Sequence, residues 1–296
     1  MSKPQTILVI GSTGQIGQSF QSIEIQYPSY EFVFANRQDF DLSNEISIIN
    51  FFEGKSFEII INCAAHTSVD KAESEPELVN QINHLAVKQL AGIAKLNRAK
   101  LIHISTDYVY NGENYKPYLE TDKVAPQGVY GKTKLDGDEA IQQTLKTNAI
   151  IIRTSWIYSE YGNNFVKTML KLGQERKSLD VIFDQVGTPT YAKDLAKAIM
   201  SIIKSEEFNQ IDFKTNIYHF SNEGLCSWYD FAKAIFELTN IQCHLRPIET
   251  KEYPSPATRP HYSVLNKTKI KQMFSLTISY WKDGVEECLT ALHKKV

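Results

Sequence analysis

The sequence predicts an α/β protein: a doubly wound parallel sheet carrying a smaller C-terminal α/β unit. Three observations lead there. Short apolar runs of strand length alternate with longer helical stretches over the first half of the 296-residue chain, as in successive βαβ units. Glycines follow the first apolar run directly. After Tyr158 the alternation loosens, and helices are separated by irregular stretches rich in Asp, Gly and Pro.

Taken in order, strands are expected at 6–10, 31–35, 58–62, 100–104 and 149–153. Each is a run of Ile, Val, Leu or Phe, as a parallel strand covered on both faces requires. Helices are expected between them, among these 15–25 and 79–97. Further on, "YGNNFVKTMLKLG" and "SWYDFAKAIFELT" read as helices, and "TPTYAKDLAKAIMSIIK" as a helix returning to the first unit. The division is therefore expected to be discontinuous, with residues 1–156 and 189–224 in one unit and 157–188 and 225–296 in the other.

Composition narrows the function. With 42% hydrophobic and 22% charged residues the chain has ordinary globular content. A net charge of −2 with dispersed Lys and Arg argues against a nucleic-acid partner. No apolar run approaches the roughly 20 residues of a membrane helix, and Met-Ser-Lys-Pro-Gln-Thr is too short a lead for a signal peptide. Cys63, Cys226, Cys243 and Cys288 lie far apart without a C-x-x-C pair. Neither a zinc knuckle nor a disulfide framework is suggested, and a reducing cytoplasm fits. The seven histidines are dispersed, so no metal site is expected.

"ILVIGSTGQIGQSF" places Gly11, Gly14 and Gly17 across the junction of the first strand and first helix, with Gln15 and Ile16 between them. A tight turn and close backbone approach to a pyrophosphate on the helix N-terminus both need glycine there. A Rossmann-type dinucleotide site is expected here, carried by the 1–156 and 189–224 unit, the alternative being a glycine-rich turn without a ligand. The second strand runs into Ala35-Asn36-Arg37, a cation where an acidic residue would hold a ribose 2′-hydroxyl. NADPH is accordingly favoured, with NADH as the alternative. Arg37 could equally be a solvated loop charge. Asp41 and Leu42 are placed to flank the adenine, or Asp41 to cap a helix. Ala64 and Ala65, small residues at the end of the 58–62 strand, would let a cofactor lie close over it.

"LIHISTDYVYNG" brings Ser105, Thr106, Asp107 and Tyr108 to the same sheet edge. Alone it would read as a turn. "VYGKTKLDGDEA", however, sets Tyr130 and Lys134 four apart on one helical face. A lysine there can reach a nicotinamide ribose, and its charge should lower the phenol pKa, which starts near 10.

Together with "NCAAHTSVDKAESEP", "RTSWIYSEYGNNFVKTML", "DQVGTPTYAKDLA" and "PATRPHYSVLN", these motifs resemble the extended short-chain dehydrogenase/reductases and, within them, the dTDP-4-dehydrorhamnose reductase family. The resemblance spans almost the whole chain. It implies NADPH-dependent reduction of the C4 ketone of a dTDP-linked 4-keto-6-deoxy sugar, with Thr106, Tyr130 and Lys134 as the catalytic set. Thr67 and Val69 match positions beside the nicotinamide and sugar, and Asp107, Tyr108 and Trp156 match the sugar pocket. On residue type alone Trp156 reads as core, and that is the alternative. Asn163, Asn164 and Phe165 resemble the segment that approaches the nucleotide sugar. Arg259 is the candidate for a substrate phosphate or for fixing its loop, the alternative being a structural salt bridge.

Some members form a metal-bridged dimer through a glutamate two residues after the third glycine. Ser19 stands there, so metal independence and a monomer or weak dimer are expected. Two other readings share the fold: a reductase of a different nucleotide-linked 4-keto-6-deoxy sugar, and a non-catalytic regulatory subunit. The intact Thr106, Tyr130 and Lys134 weigh against the second.

Overall fold

The computed structural model describes residues 4–294. The first three residues of the lead segment considered above lie outside that range. β1 (Gln5–Ile10) passes through the glycine turn into α1 (Gln15–Ile23), and β2 (Tyr30–Ala35) is followed by α2 (Glu45–Phe52). β3 (Ile59–Asn62) leads through α3 (Val69–Ala72) into a helical run made of α4 (Pro76–Asn80), one π-turn (Gln81–Leu85) and α5 (Ala86–Asn97). β4 (Lys100–Thr106), α6 (Val129–Thr144) and β5 (Ala149–Thr154) complete this half. The five expected strands thus form within one or two residues of the expected bounds, and the first helix stops two residues early.

The second half contains β6 (Ile157–Tyr158), α7 (Phe165–Glu175), β7 (Ser178–Ile182), β8 (Val186–Gly187), β9 (Thr190–Tyr191), α8 (Ala192–Lys204) and α9 (Glu206–Asn209). Next come β10 (Asn216–His219), β11 (Cys226–Ser227), α10 (Trp228–Thr239), β12 (His244–Ile248), α11 (Thr268–Phe274) and α12 (Trp281–His293).

Six strands form one parallel sheet in the order β10-β5-β4-β3-β1-β2. The chain leaves β1 for β2 on one side and then returns to β3 on the other. The crevice beyond the carboxyl ends of β1 and β3 is the switch point where such sheets bind ligands.

Alternation along each strand sends successive side chains to opposite faces. Ile7 and Val9 of β1 therefore enter one apolar layer with Ile16, Phe20 and Ile23 of α1 and Leu195, Ile199 and Ile202 of α8. Leu8 and Ile10 enter the other, with Ile48 of α2, Leu90 of α5 and Ile141 of α6.

A separate core gathers Val166 and Met169 of α7, Phe231 and Ile235 of α10, and Val285 and Leu289 of α12 around the parallel pair β7–β12. α11 falls after residue 225, yet Ile270 and Phe274 pack into the large sheet's layer rather than into this second core. β10 is an edge strand, and α11 covers it.

Candidate active site

The turn after β1 is closed by hydrogen bonds from the Gly11 and Ser12 amides to Ala35 O, at 2.9 and 3.0 Å. Gly11 adopts φ +82°, and a Cβ there would sit 2.9 Å from the Ala64 amide nitrogen, so a side chain is excluded twice over. Gly17 differs from its expected place. It does not line the cleft, and a Cβ there would meet the Gly11 carbonyl and come 2.5 Å from Ser12 Cα. Its part is to let α1 pack onto the turn. Gly17→Ala should therefore push α1 off the turn, lowering stability by about 1–3 kcal/mol and NADPH affinity with it. Thermal unfolding and cofactor fluorescence titration would read both, and unchanged values would refute this account of the glycine.

A cavity of about 740 Å³ runs from this turn to the ends of β4 and β5, a size suited to small-molecule and cofactor ligands. Gly11, Gly14, Gln15 and Ile16 line its start, followed by Arg37, Asp41 and Leu42, then Ala64, Ala65, Thr67 and Val69. Thr106, Asp107, Tyr108, Tyr130 and Trp156 line the far part.

Arg37 is largely exposed, with its guanidinium 3.0 Å from Asp41 Oδ2. Asp41 Oδ1 accepts from the Ser43 amide and hydroxyl at 2.9 and 2.8 Å. Burial opposes ionisation of Asp41, but the bonds from Ser43 and Arg37 outweigh it and hold the carboxyl below its usual range. Asp41 does not cap α2, since Asn44 does so with Oδ1 on the Ser47 amide.

At the reacting end Thr106 Oγ1 donates to Asp107 Oδ1 at 3.0 Å and accepts from the Tyr108 amide at 3.2 Å. The turn-capping reading of Ser-Thr-Asp and its place in the cleft therefore coexist. Burial raises the Asp107 carboxyl to about 7, against hydrogen bonds from Ser263 and Thr106. Tyr130 packs edge-on against Tyr108, with ring centroids 5.6 Å apart.

Lys134 behaves otherwise than expected. It is 1% exposed and lies outside the cavity lining. Its Nζ donates to Ile104 O at 2.7 Å and sits 3.0 Å from His103 Nε2. Burial lowers its pKa to about 8, with Asp138 opposing. The Tyr130 phenol is accordingly pushed up to about 12 by burial, with a Thr106 hydrogen bond opposing. The expected lowering fails because Lys134 Nζ, on the face it shares with Tyr130, is engaged by Ile104 and His103 of β4.

Trp156 holds φ +47°, a left-handed conformation rare for a bulky side chain. Its indole stacks on Trp228, centroids 3.6 Å apart and planes at 11°. Trp228 also lines the cavity, and its Nε1 donates to Gln185 Oε1 at 3.2 Å. In the sequence Trp228 reads only as part of a helix. Nothing local marks it, because its partner is remote in the chain. His66, likewise unremarked, reaches the cavity because the buried Asn83 in the π-turn binds its backbone amide and carbonyl at 2.9 and 3.1 Å.

Two expected ligand contacts are engaged elsewhere. Asn164 caps α7 with Oδ1 on the Lys167 amide and donates through Nδ2 to Gln15 Oε1 at 2.9 Å. It stands behind its neighbour Asn163, which does line the cleft. Arg259 Nη2 binds Asp70 Oδ2 at 2.7 Å and lies outside the lining. This bond, and the associated charge attraction, depress the Asp70 carboxyl despite its burial. Arg259 thus fixes its loop onto α3, and its charge also acts on Tyr108 of the cleft. Among the described residues no group of three or more His, Cys, Asp or Glu is arranged to hold a metal.

The family model described as the RmlD substrate binding domain matches residues 5–294. A dTDP-4-dehydrorhamnose reductase of Escherichia coli strain K12 is 40% identical over 97% of this chain and 97% of its own length. A crystal structure of a dTDP-4-dehydrorhamnose reductase from Clostridium acetobutylicum superposes with a TM-score of 0.91 at 40% identity, over 98% of this chain and 100% of that one. The corresponding Bacillus anthracis enzyme, solved in complex with NADP, gives a TM-score of 0.90 at 34% identity over 97% and 99%. An RmlD-type sequence match along nearly the whole chain, joined to a glycine turn and a Thr-Tyr pair in one cleft, places this chain in the dTDP-4-dehydrorhamnose reductase family.

Proposed function

We propose that the protein reduces the C4 ketone of dTDP-4-dehydro-β-L-rhamnose to dTDP-β-L-rhamnose with NADPH. The observation that carries this reading is one continuous cleft joining the Gly11–Gly14 turn to Thr106 and Tyr130 and ending at the Trp156–Trp228 stack. Its residues fit a dinucleotide: the turn has no room for side chains at Gly11, the small Ala64 and Ala65 floor the cleft, and a cation stands on its rim.

When bound, NADPH supplies the hydride. Gly11, Gly14 and Gln15 would hold its pyrophosphate at the start of α1, and Arg37 its 2′-phosphate. The chain's own chemistry is orientation and proton transfer. The Thr106 hydroxyl, which donates to Asp107 in the free protein, would turn its hydrogen to the C4 oxygen when the sugar binds. The Tyr130 phenol, protonated across the working pH range, delivers its proton to that oxygen as negative charge develops. The stacked indoles offer an apolar wall for the sugar.

Loss of nicotinamide absorbance with enzymatically prepared dTDP-4-dehydro-L-rhamnose, with and without EDTA, tests the reading. Oxidation unaffected by chelation is expected. Oxidation confined to a different nucleotide-linked keto sugar would reassign the substrate and leave the chemistry standing. Arg37→Ala should weaken NADPH about tenfold, the worth of one charge-assisted contact, and leave NADH almost unchanged. Equal losses for both cofactors would remove Arg37 from the 2′-phosphate.

A further inference from the structure

Behind the catalytic face of α6, three buried side chains form a chain whose hydrogen-bond direction can be worked out. The Ala64 amide can only donate, and it donates to Asn62 Oδ1 at 3.1 Å. That fixes the Asn62 amide so that Nδ2 faces His103 Nδ1, at 3.1 Å, and Nδ1 must accept. His103 is fully buried. Burial, and Lys134 beside it, hold its pKa well below the ordinary value, so the ring is neutral and carries its hydrogen on Nε2. That N–H points at Lys134 Nζ, 3.0 Å away. An ammonium has no lone pair to receive it, whereas an amine does and can still donate to Ile104 O.

The surrounding charges agree. His103 faces Nζ from β4. On its own helix Lys134 is flanked by Tyr130 and by Asp138, and Asp138 already pairs with Arg153 of β5 at 3.1 Å. Asp138 and Arg153 are 0% and 2% exposed. A Lys134 ammonium would add a second buried cation to a single carboxylate, a costly arrangement.

We propose that in the free protein His103, oriented by Asn62, holds Lys134 as an uncharged amine, and that NADPH binding brings a solvent proton onto Nζ and so arms Tyr130. The second half rests on the cofactor reading above. The phosphates of NADPH add negative charge to the cleft and favour the cationic lysine. Forming the new N–H bond consumes the lone pair, so the His103 bond is lost. A cation then stands on the helical face it shares with Tyr130, where it stabilises the phenolate left after proton transfer. His103 and Asn62 are positioning residues in this scheme, and the raised phenol of the free protein is its resting state.

Two measurements test it. Nitrogen NMR of the imidazole rings in the free full-length protein, with His103 assigned through His103→Gln, should show a neutral Nε2–H ring above about pH 8, where Lys134 is the amine. An Nδ1–H ring, or protonation near the ordinary histidine value of about 6.5, overturns the proposal without reference to any cofactor. In weakly buffered solution, NADPH binding followed by fluorescence should take up most of a proton per site. The uptake should peak between about pH 8 and 10, the window between the lowered and the ordinary lysine value, and vanish in Lys134→Met. Binding without proton uptake in that window overturns the arming step. Absence of NADPH binding overturns both that step and the cofactor reading, and leaves the ring measurement to decide the resting state alone.

Discussion

Tyr130→Phe is expected to bind NADPH as tightly as the native protein and to lose turnover by about 10²- to 10⁴-fold, the usual worth of a positioned general acid. The substitution removes one oxygen from a ring whose packing against Tyr108 is edge-on and apolar. The fold should therefore be untouched, and no buried charge is left without a partner. What disappears is the proton. In the free protein the phenol titrates at about 12 because of its burial, so it is protonated at every working pH and acts in the reductive direction as an acid. The sign is definite: lowering the pH does not disarm it, whereas raising the pH towards its pKa removes the proton to be delivered. Single-turnover kinetics at saturating NADPH, paired with fluorescence titration of the cofactor, separate chemistry from binding. A kcat within a few-fold of native would remove Tyr130 from the proton-transfer step.

The second large effect is on stability. Asp138→Ala should cost about 3–5 kcal/mol, because it leaves the Arg153 guanidinium buried without its counter-charge. Asp138 Oδ2 accepts from Arg153 Nε at 3.1 Å, and Arg153 Nη1 donates to Tyr110 OH at 2.9 Å. Tyr110 OH in turn meets His219 Nε2 at 2.7 Å, so the pair ties α6 and β5 to the edge strand β10. Replacing both partners by apolar residues, as in Asp138→Leu with Arg153→Met, should recover much of the loss, since a buried ion pair contributes little net stability over good apolar packing. Chemical denaturation of the two single variants and the double variant reads the coupling directly. A loss below about 1 kcal/mol in Asp138→Ala would show that water or a local rearrangement solvates Arg153.

Much of the fold was legible because its signals are local. A strand buried on both faces must be apolar along its whole length, so Ile59 to Ile61 and Ile150 to Ile152 announce themselves. The tight turn at Gly11 requires a residue without a Cβ. The pairing of Tyr130 with Lys134 on one face follows from helical geometry. The division of the second half was less legible. α11 belongs to the sheet's layer through Ile270 and Phe274, and its amphipathic pattern does not say which of two apolar surfaces it will cover.

The sequence alone therefore determined the first five strands and the helices between them, the dinucleotide turn, and the residue types that reach the carboxyl edge of the sheet, because each depends on neighbours within a helical turn or along a strand. Tertiary structure decided what those residues do when they arrive. Lys134 meets His103 across 31 residues, Arg259 meets Asp70 across 189, and Trp156, in the bend between β5 and β6, finds Trp228 on α10. A charged or aromatic side chain takes its protonation state and direction from the partner that desolvates it. That partner is brought near only when the sheet and the second core close on each other.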